Sequence, residues 1–123
     1  MTEILHKDLA FKVVGAAMEV HRELGPGFLE SVYQRALAVE LTSRGIPFEE
    51  HCRLPVHYKG EVVGEYETDI LVENRVILEL KASSSLTAAH QAQARHYLSA
   101  TGLRLALLIN FGQESLVTKR VVQ

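Results

Sequence analysis

The chain has a single cysteine, Cys52, so no internal disulfide can staple it. No apolar run approaches the length that crosses a bilayer. The start, Met1-Thr2-Glu3-Ile4-Leu5-His6-Lys7-Asp8, lacks the basic end and apolar centre of a secretory signal. These absences lead us to expect a soluble, cytoplasmic protein with no membrane partner. An excess of positive charge is also missing, since 13 Lys and Arg stand against 15 Asp and Glu for a formal charge of -2. A polyanion would have to be held by a local patch, a metal or an oligomer. No linker, repeat or low-complexity tract divides the 123 residues. A chain of that length removes roughly two thirds of its unfolded surface from water on folding, so a single domain over 1–123 is expected.

What is present reads as alternating helical and extended periodicity. Leu9, Val13, Ala16, Ala17, Val20 and Leu24 keep helical spacing until Gly25-Pro26. Leu29, Val32, Tyr33, Ala36, Leu37 and Leu41 form a second helical stripe that stops at Arg44-Gly45. A strand over 48–58 follows, with Pro55 marking it as an edge or irregular strand and Lys59-Gly60 as its hairpin turn. Two more strands flank a turn near Asn74. Ser83, Ser84 and Ser85 can cap a third helix over 87–100, which Thr101-Gly102 ends. Residues 105–110 read as a buried strand and 116–122 as a last alternating one, giving the order ααβββαββ.

The chemistry concentrates where two of these strands end. Glu79-Leu80-Lys81 closes one apolar run and Asp69 lies within the run before it. Side chains two apart on a strand share a face, so Glu79 and Lys81 point one way and Leu80 the other. Whether Asp69 joins them depends on the intervening turn. A two-residue turn at Glu73-Asn74 sends Asp69 and Glu79 to opposite faces. A three-residue turn over 73–75, with Asn74 left-handed, pairs Val72 with Val76, Ile70 with Leu78 and Asp69 with Glu79. In that register Tyr66, Ile70, Val72, Val76, Leu78 and Leu80 share an apolar side, while Glu65, Glu67, Asp69, Glu79 and Lys81 share the other. Hydrophobic patterning and chemistry select the same register. Hard cations take oxygen ligands and often use one or two carboxylates plus water, which suits Asp69 and Glu79 with Lys81 as neighbouring cation. The other reading is a solvated strand face carrying an ion pair.

Other constellations carry less. His51, Cys52 and His57 match no usual zinc spacing and lack a fourth ligand. His21 lies near the end of the first helix, where it can meet terminal carbonyls or neighbour an active site. The three serines have no evident base, and Gly25-Pro26-Gly27 lacks the Lys-Ser or Lys-Thr of a P-loop.

Gly27-Phe28-Leu29-Glu30-Ser31-Val32-Tyr33 spells GxxExxY, and the chain resembles the GxxExxY family of small bacterial proteins. That family resembles the PD-(D/E)XK nuclease superfamily, whose core is a helix, three strands, a helix and a further strand. The resemblance implies an α/β, restriction-endonuclease-like fold with a mixed central β-sheet flanked by helices. It assigns the superfamily's acid to Asp69, its ExK to Glu79-Leu80-Lys81 and its helical glutamate to Glu30. Gln93-Ala94-Arg95-His96-Tyr97 matches the QxxxY pattern of the exonuclease-like branch. The resemblance implies Mg²⁺ or Mn²⁺ held by Asp69, Glu79, Glu30 and the Leu80 carbonyl, with Lys81 orienting water or neutralising phosphate. Tyr33, Gln93 and Tyr97 would contact substrate or support the ligands, the Tyr33 hydroxyl being available to orient Glu30. The expected function is metal-dependent hydrolysis of DNA, with RNA as an alternative substrate. A non-catalytic, nuclease-like module that binds nucleic acid or protein is the competing reading, and a homo-oligomer or protein partner is compatible with both. Some of Lys59, Arg75, Arg95 and Lys119 are expected to line a groove beside the site.

Overall fold

The computed structural model describes residues 4–123 and bears out the order ααβββαββ. The elements are α1 (Lys7–Leu24), α2 (Glu30–Ser43), β1 (Phe48–Tyr58), β2 (Glu61–Val72), β3 (Val76–Lys81), α3 (Ala88–Thr101), β4 (Leu105–Asn110) and β5 (Val117–Val122). One five-stranded mixed sheet runs β1-β2-β3-β4-β5, parallel only between β3 and β4. α3 makes the crossover that a parallel pair requires. β3 and β4, in the interior of the sheet, are almost wholly buried and, but for Glu79, Lys81 and Asn110, apolar on both faces, as covered strands must be. β1, with Pro55, is an edge strand.

The sheet separates two cores. On one face Val13, Ala17 and Val20 of α1 and Tyr33, Leu37 and Leu41 of α2 meet Ile70, Leu78, Leu80, Leu107 and Ile109. On the other, Ala94 and Leu98 of α3 meet Leu71, Ile77, Ala106, Leu108 and Val121.

The turn between β2 and β3 is the three-residue one, with Val72 paired to Val76, Leu71 to Ile77 and Ile70 to Leu78. Both Glu73 (φ 49°) and Asn74 (φ 57°) are left-handed, and Arg75 N–H closes the turn on the Val72 carbonyl at 2.9 Å. Tyr66 departs from the expected face. It packs with the α3-side core, whereas Ile70 belongs to the α1/α2 side. The cause is a break in alternation where His51 stands opposite Asp69, the position at which the β1–β2 ladder has no pair. His51 is left-handed (φ 51°) and is held by Gln34, whose amide donates to Nε2 at 2.9 Å, and by Glu67, which accepts from Nδ1 at 2.9 Å. Beyond it Cys52 and Leu54 also turn to the α3 side.

The cap of α3 differs too. Thr87, rather than the serine run, is the N-cap, accepting from His90 N–H at 3.2 Å while His90 Nδ1 accepts from Thr87 N–H at 3.1 Å. Ser83 is instead stapled to the end of β4. Asn110, fully buried, accepts from the N–H groups of Ser83 (3.0 Å) and Gly112 (3.1 Å) and donates to the carbonyls of Ser83 (2.9 Å) and Gln113 Oε1 (2.8 Å). All four hydrogen-bonding positions of the amide are used. Gly112 permits the close approach, since a Cβ there would lie 2.4 Å from Ser83 O and 2.5 Å from Ser83 N.

Those clashes are with backbone and cannot be relieved by a rotamer change. Gly112→Ala is expected to lower unfolding free energy by about 1–3 kcal/mol in denaturant titrations. Gly64→Ala, where a Cβ meets nothing within 4 Å, is expected to change it by no more than about 0.5 kcal/mol. Equal behaviour of the two variants would show that the Ser83 staple does not constrain the fold.

Candidate active site

The β2–β3 ladder ends at Ile70–Leu78, one step short of Asp69 and Glu79. Leu80 N–H, which would otherwise lack a partner on that side, donates to Asp69 Oδ2 at 2.9 Å. A side chain thus takes the place of a main-chain acceptor, and the two strands part at that point. On its other side β3 remains paired with β4 as far as Lys81 and Asn110.

Glu79 lies in this fork, only 8% exposed, and its Oε1 is buried without a hydrogen-bond partner. Burial pushes its carboxyl up to about 7, with the Lys81 ammonium pulling it down and the charge of Glu30 pushing it further up. Three of the sequence-selected groups therefore act on one another electrostatically. Glu30 is the first residue of α2, exposed, at the helix end where partial positive charge favours an acid. Lys81 is half-buried at the end of β3.

α3 brings two more. Burial raises the Tyr97 hydroxyl above the usual phenol range, assisted by the charges of Glu79 and Asp69, while Gln93 at the same hydroxyl opposes the shift. The Tyr97 ring stacks on Tyr66 at 3.8 Å between centroids and 19° between planes. Tyr66 is a site neighbour that the sequence reading misses, and its buried hydroxyl has no partner. Its only signal is an aromatic three residues before Asp69 on a strand whose alternation cannot be followed through His51. Asn110 is missed as well, although an amide closing a buried apolar run was a visible irregularity.

Tyr33 does something other than orient Glu30. Its ring is fully buried and stacks on Phe111 at 4.6 Å, and its hydroxyl donates to Gly25 O (2.5 Å) and accepts from Phe28 N–H (3.1 Å). Both bonds are spent on the loop leading into α2, which turns through Gly25 (φ 67°) and Gly27 (φ 114°). The glycine, the acid and the tyrosine of GxxExxY thus form one local device, in which Tyr33 fixes the loop and thereby the helix start that carries Glu30. His21 is similarly structural. Its Nε2 donates to Gln113 O at 2.9 Å, tying α1 to the β4–β5 loop rather than capping its own helix.

Among the described residues no three His, Cys, Asp or Glu side chains gather closely enough to cage a metal ion. A site would rest on two carboxylates. Asp69 and Glu79 still suit a hard divalent cation, which commonly keeps several waters, and the unpartnered, buried Glu79 oxygen is the kind of atom a cation would satisfy. Of the four cations some of which are expected beside the site, Lys59 and Arg75 lie too far apart to share one patch. Lys59 sits at the β1–β2 turn over the Tyr58 ring, and Arg75 lies at the opposite end of β2, about 40 Å away along the strand.

A family model described as the PD-(D/E)XK nuclease superfamily matches residues 7–121. Among solved structures, the chain is similar to an alkaline exonuclease from Laribacter hongkongensis, with 11% identity and a TM-score of 0.55, covering 100% of this chain and 72% of that one. At that identity the likeness speaks for the fold. No curated protein matches the chain.

The environment of Glu79 gives the metal-free protein a specific pH dependence. Its carboxyl titrates near 4.5 when exposed and about 7 in the fold, so the folded state holds the proton more tightly. The contribution of Glu79 to stability is therefore fully present below pH 4.5, is lost as the group ionises up to about pH 7, and stays lost above, for a total of about 3 kcal/mol. Glu79→Gln should remove this component and be the more stable protein at pH 8. Denaturant unfolding in chelator between pH 4 and 9 measures it, and parallel profiles for the two proteins would contradict it.

Proposed function

The chain belongs to the PD-(D/E)XK nuclease superfamily, and from that premise we propose that it hydrolyses phosphodiester bonds in DNA, with RNA as an alternative substrate, using Mg²⁺ or Mn²⁺. Membership implies a nucleic-acid substrate, and members generally use divalent metal ions. The observation that carries the reading is the buried, unpartnered Glu79 carboxylate beside Lys81, in a fork whose other side is the anchored Asp69. Burying a carboxylate without a partner is costly for the fold alone and reasonable where a cation will meet it.

In this proposal Asp69 and Glu79 hold the ion, with the Leu80 carbonyl as a further oxygen donor and Glu30 at the margin. The ion supplies a bound water of lowered pKa and offsets charge on the phosphate. Asp69 Oδ2 accepts from Leu80 N–H, so Oδ1 would be the freer of its two oxygens toward an ion. The Lys81 ammonium faces the same carboxylate and is placed to neutralise a phosphate oxygen or orient the attacking water. Tyr97, with Gln93 at its hydroxyl and Tyr66 behind its ring, offers a hydrogen-bonding group at the edge of the fork. Tyr33 acts at one remove, through the loop that sets Glu30.

The formal charge of -2, with no basic excess to hold a polyanion, favours a second reading, a nuclease-like module that binds nucleic acid or protein with little turnover. Incubation with labelled linear duplex, circular and single-stranded DNA and with RNA, in Mg²⁺, Mn²⁺ or chelator, separates the two. Cation-dependent cleavage that Glu79→Ala abolishes supports the nuclease. Binding without cleavage supports the module.

Lys81 tells chemistry from metal binding. Lys81→Ala should bind Mn²⁺ as well as wild type or better, because a neighbouring positive charge has gone. Its cleavage rate should fall by about two to four orders of magnitude, as for loss of a positioned proton-transfer or charge-stabilising group. Asp69→Ala and Glu79→Ala should lose both. A folded, metal-binding Lys81→Ala that cuts at the wild-type rate would rule out this role for the lysine.

A further inference from the structure

His51 carries a backbone conformation that its place in the sheet does not call for. Among the described residues, Lys59, Glu73 and Asn74 also have positive φ but lie in hairpin turns, and His6 lies just before α1, whereas His51 (φ 51°) lies inside β1. A left-handed residue other than glycine crowds its Cβ against the following carbonyl, so it persists only where the surroundings over-determine it. Here they do so from two sides. Gln34, buried on α2, donates to His51 Nε2 at 2.9 Å, and Glu67 of β2 accepts from Nδ1 at 2.9 Å. Gln34 follows Glu30 by one helical turn and shares its face, so the clasp also ties β1 to the helix that carries that acid.

The break that His51 makes falls opposite Asp69. Glu50 pairs with Ile70 and Cys52 with Thr68, while His51 and Asp69 stay unpaired between them. The ladder to β3 stops at the same place, at Ile70–Leu78, and the buried Thr68 hydroxyl donates to the Ile70 carbonyl at 3.0 Å, spanning Asp69. Asp69 is therefore released from both neighbouring strands while the residues on each side of it are held, which leaves its carboxylate to meet Leu80 N–H at 2.9 Å. Beyond the break Cys52, Leu54 and Tyr66 pack on the α3 side, where Tyr66 stacks on Tyr97. Unbroken alternation would put Tyr66 on the side of Ile70, away from Tyr97. One irregular residue thus re-aims two side chains toward the fork, the use to which strand irregularities beside sites are put.

We propose that His51 is a positioning residue of the candidate site: clasped left-handed between Gln34 and Glu67, it holds Asp69 at the fork and Tyr66 against Tyr97. It acts through Asp69 rather than on the ion or the substrate. What the site requires at this position is the left-handed backbone, which the imidazole secures through its two partners. The inference rests on the reading above only in taking Asp69 as a metal ligand, because the bond from Leu80 N–H reports the same geometry without metal.

Hydrogen exchange of the Leu80 amide in the metal-free full chain, taken relative to the Leu108 amide of β4 as a measure of global opening, reads that geometry. A β-branched residue is a severe outlier at positive φ, so His51→Val should speed relative Leu80 exchange by about tenfold, as for one lost hydrogen bond. Its Mn²⁺ affinity should fall with it. Gln34→Ala combined with Glu67→Ala removes the clasp and leaves His51 in place; it should speed Leu80 exchange in the same direction, and it decides the matter if His51→Val does not fold. Adding His51→Gly to that pair should bring exchange back to within about threefold of wild type, because glycine takes positive φ without a clasp. Wild-type exchange at Leu80 in either folded variant would overturn the proposal, and so would a folded, clasp-free protein that glycine fails to rescue. A wild type that binds no Mn²⁺ would instead remove the metal reading of Asp69, with Leu80 exchange still deciding the role of His51.

Discussion

The bond from Leu80 N–H to the Asp69 carboxylate is the constraint on which the rest of the candidate site hangs. An interior strand cannot leave a main-chain donor unsatisfied without a cost comparable to a lost hydrogen bond. If β2 supplied a backbone acceptor to Leu80, the ladder would continue and Asp69 and Glu79 would be ordinary neighbours on a closed sheet. By accepting with a side chain, Asp69 lets the strands diverge without that cost. It also fixes its own position relative to Glu79, because donor and acid are adjacent residues. β3 is held from the other side by β4, so only one edge of it opens.

Glu79 shows the opposite bargain. Its oxygen has no partner, and the burial that raises its proton affinity comes from the same packing that makes the sheet interior stable. A local liability of this kind requires rigid surroundings. They are provided by apolar layers on both faces, by the Tyr66–Tyr97 stack and by Asn110, whose amide anchors the chain just beyond Lys81 to the end of the neighbouring strand.

Much of this is legible in the sequence because several levels agree. The helical stripe of α1, the turn at Lys59-Gly60 and the continuous apolar runs of β3 and β4 all carry local signals that tertiary structure respects. The β2–β3 register is legible for a stronger reason. A one-residue slip would have turned Glu79 and Lys81 into the apolar layer under α1 and α2 where Leu78 and Leu80 pack, and separated Glu79 from the face of Asp69. What is illegible depends on contacts between distant residues. Tyr66 changes face because His51, on another strand, adopts a left-handed backbone held by Gln34 and Glu67. The Tyr33 hydroxyl could have served Glu30 by spacing alone, and only the path of the 25–28 loop decides otherwise. Ser83 competes with Thr87 as a cap until Asn110 claims its backbone.

The parallel pairing of β3 with β4 also governs the order in which the molecule can be assembled. β1, β2 and β3 are joined by tight turns, so their antiparallel meander closes short loops, and the Asp69 contact lies inside it. β4 can dock only after the chain has made the whole α3 crossover, a longer closure with a larger entropy cost. During synthesis from the N-terminus, both acids are in place while the far edge of β3, Val76–Lys81, has no strand beside it. An apolar, unpaired edge is an invitation to pair with another chain. The interval between the emergence of β3 and the arrival of β4 is thus the stage at which this fold is most exposed to aggregation, and the speed of forming α3 sets how long it lasts.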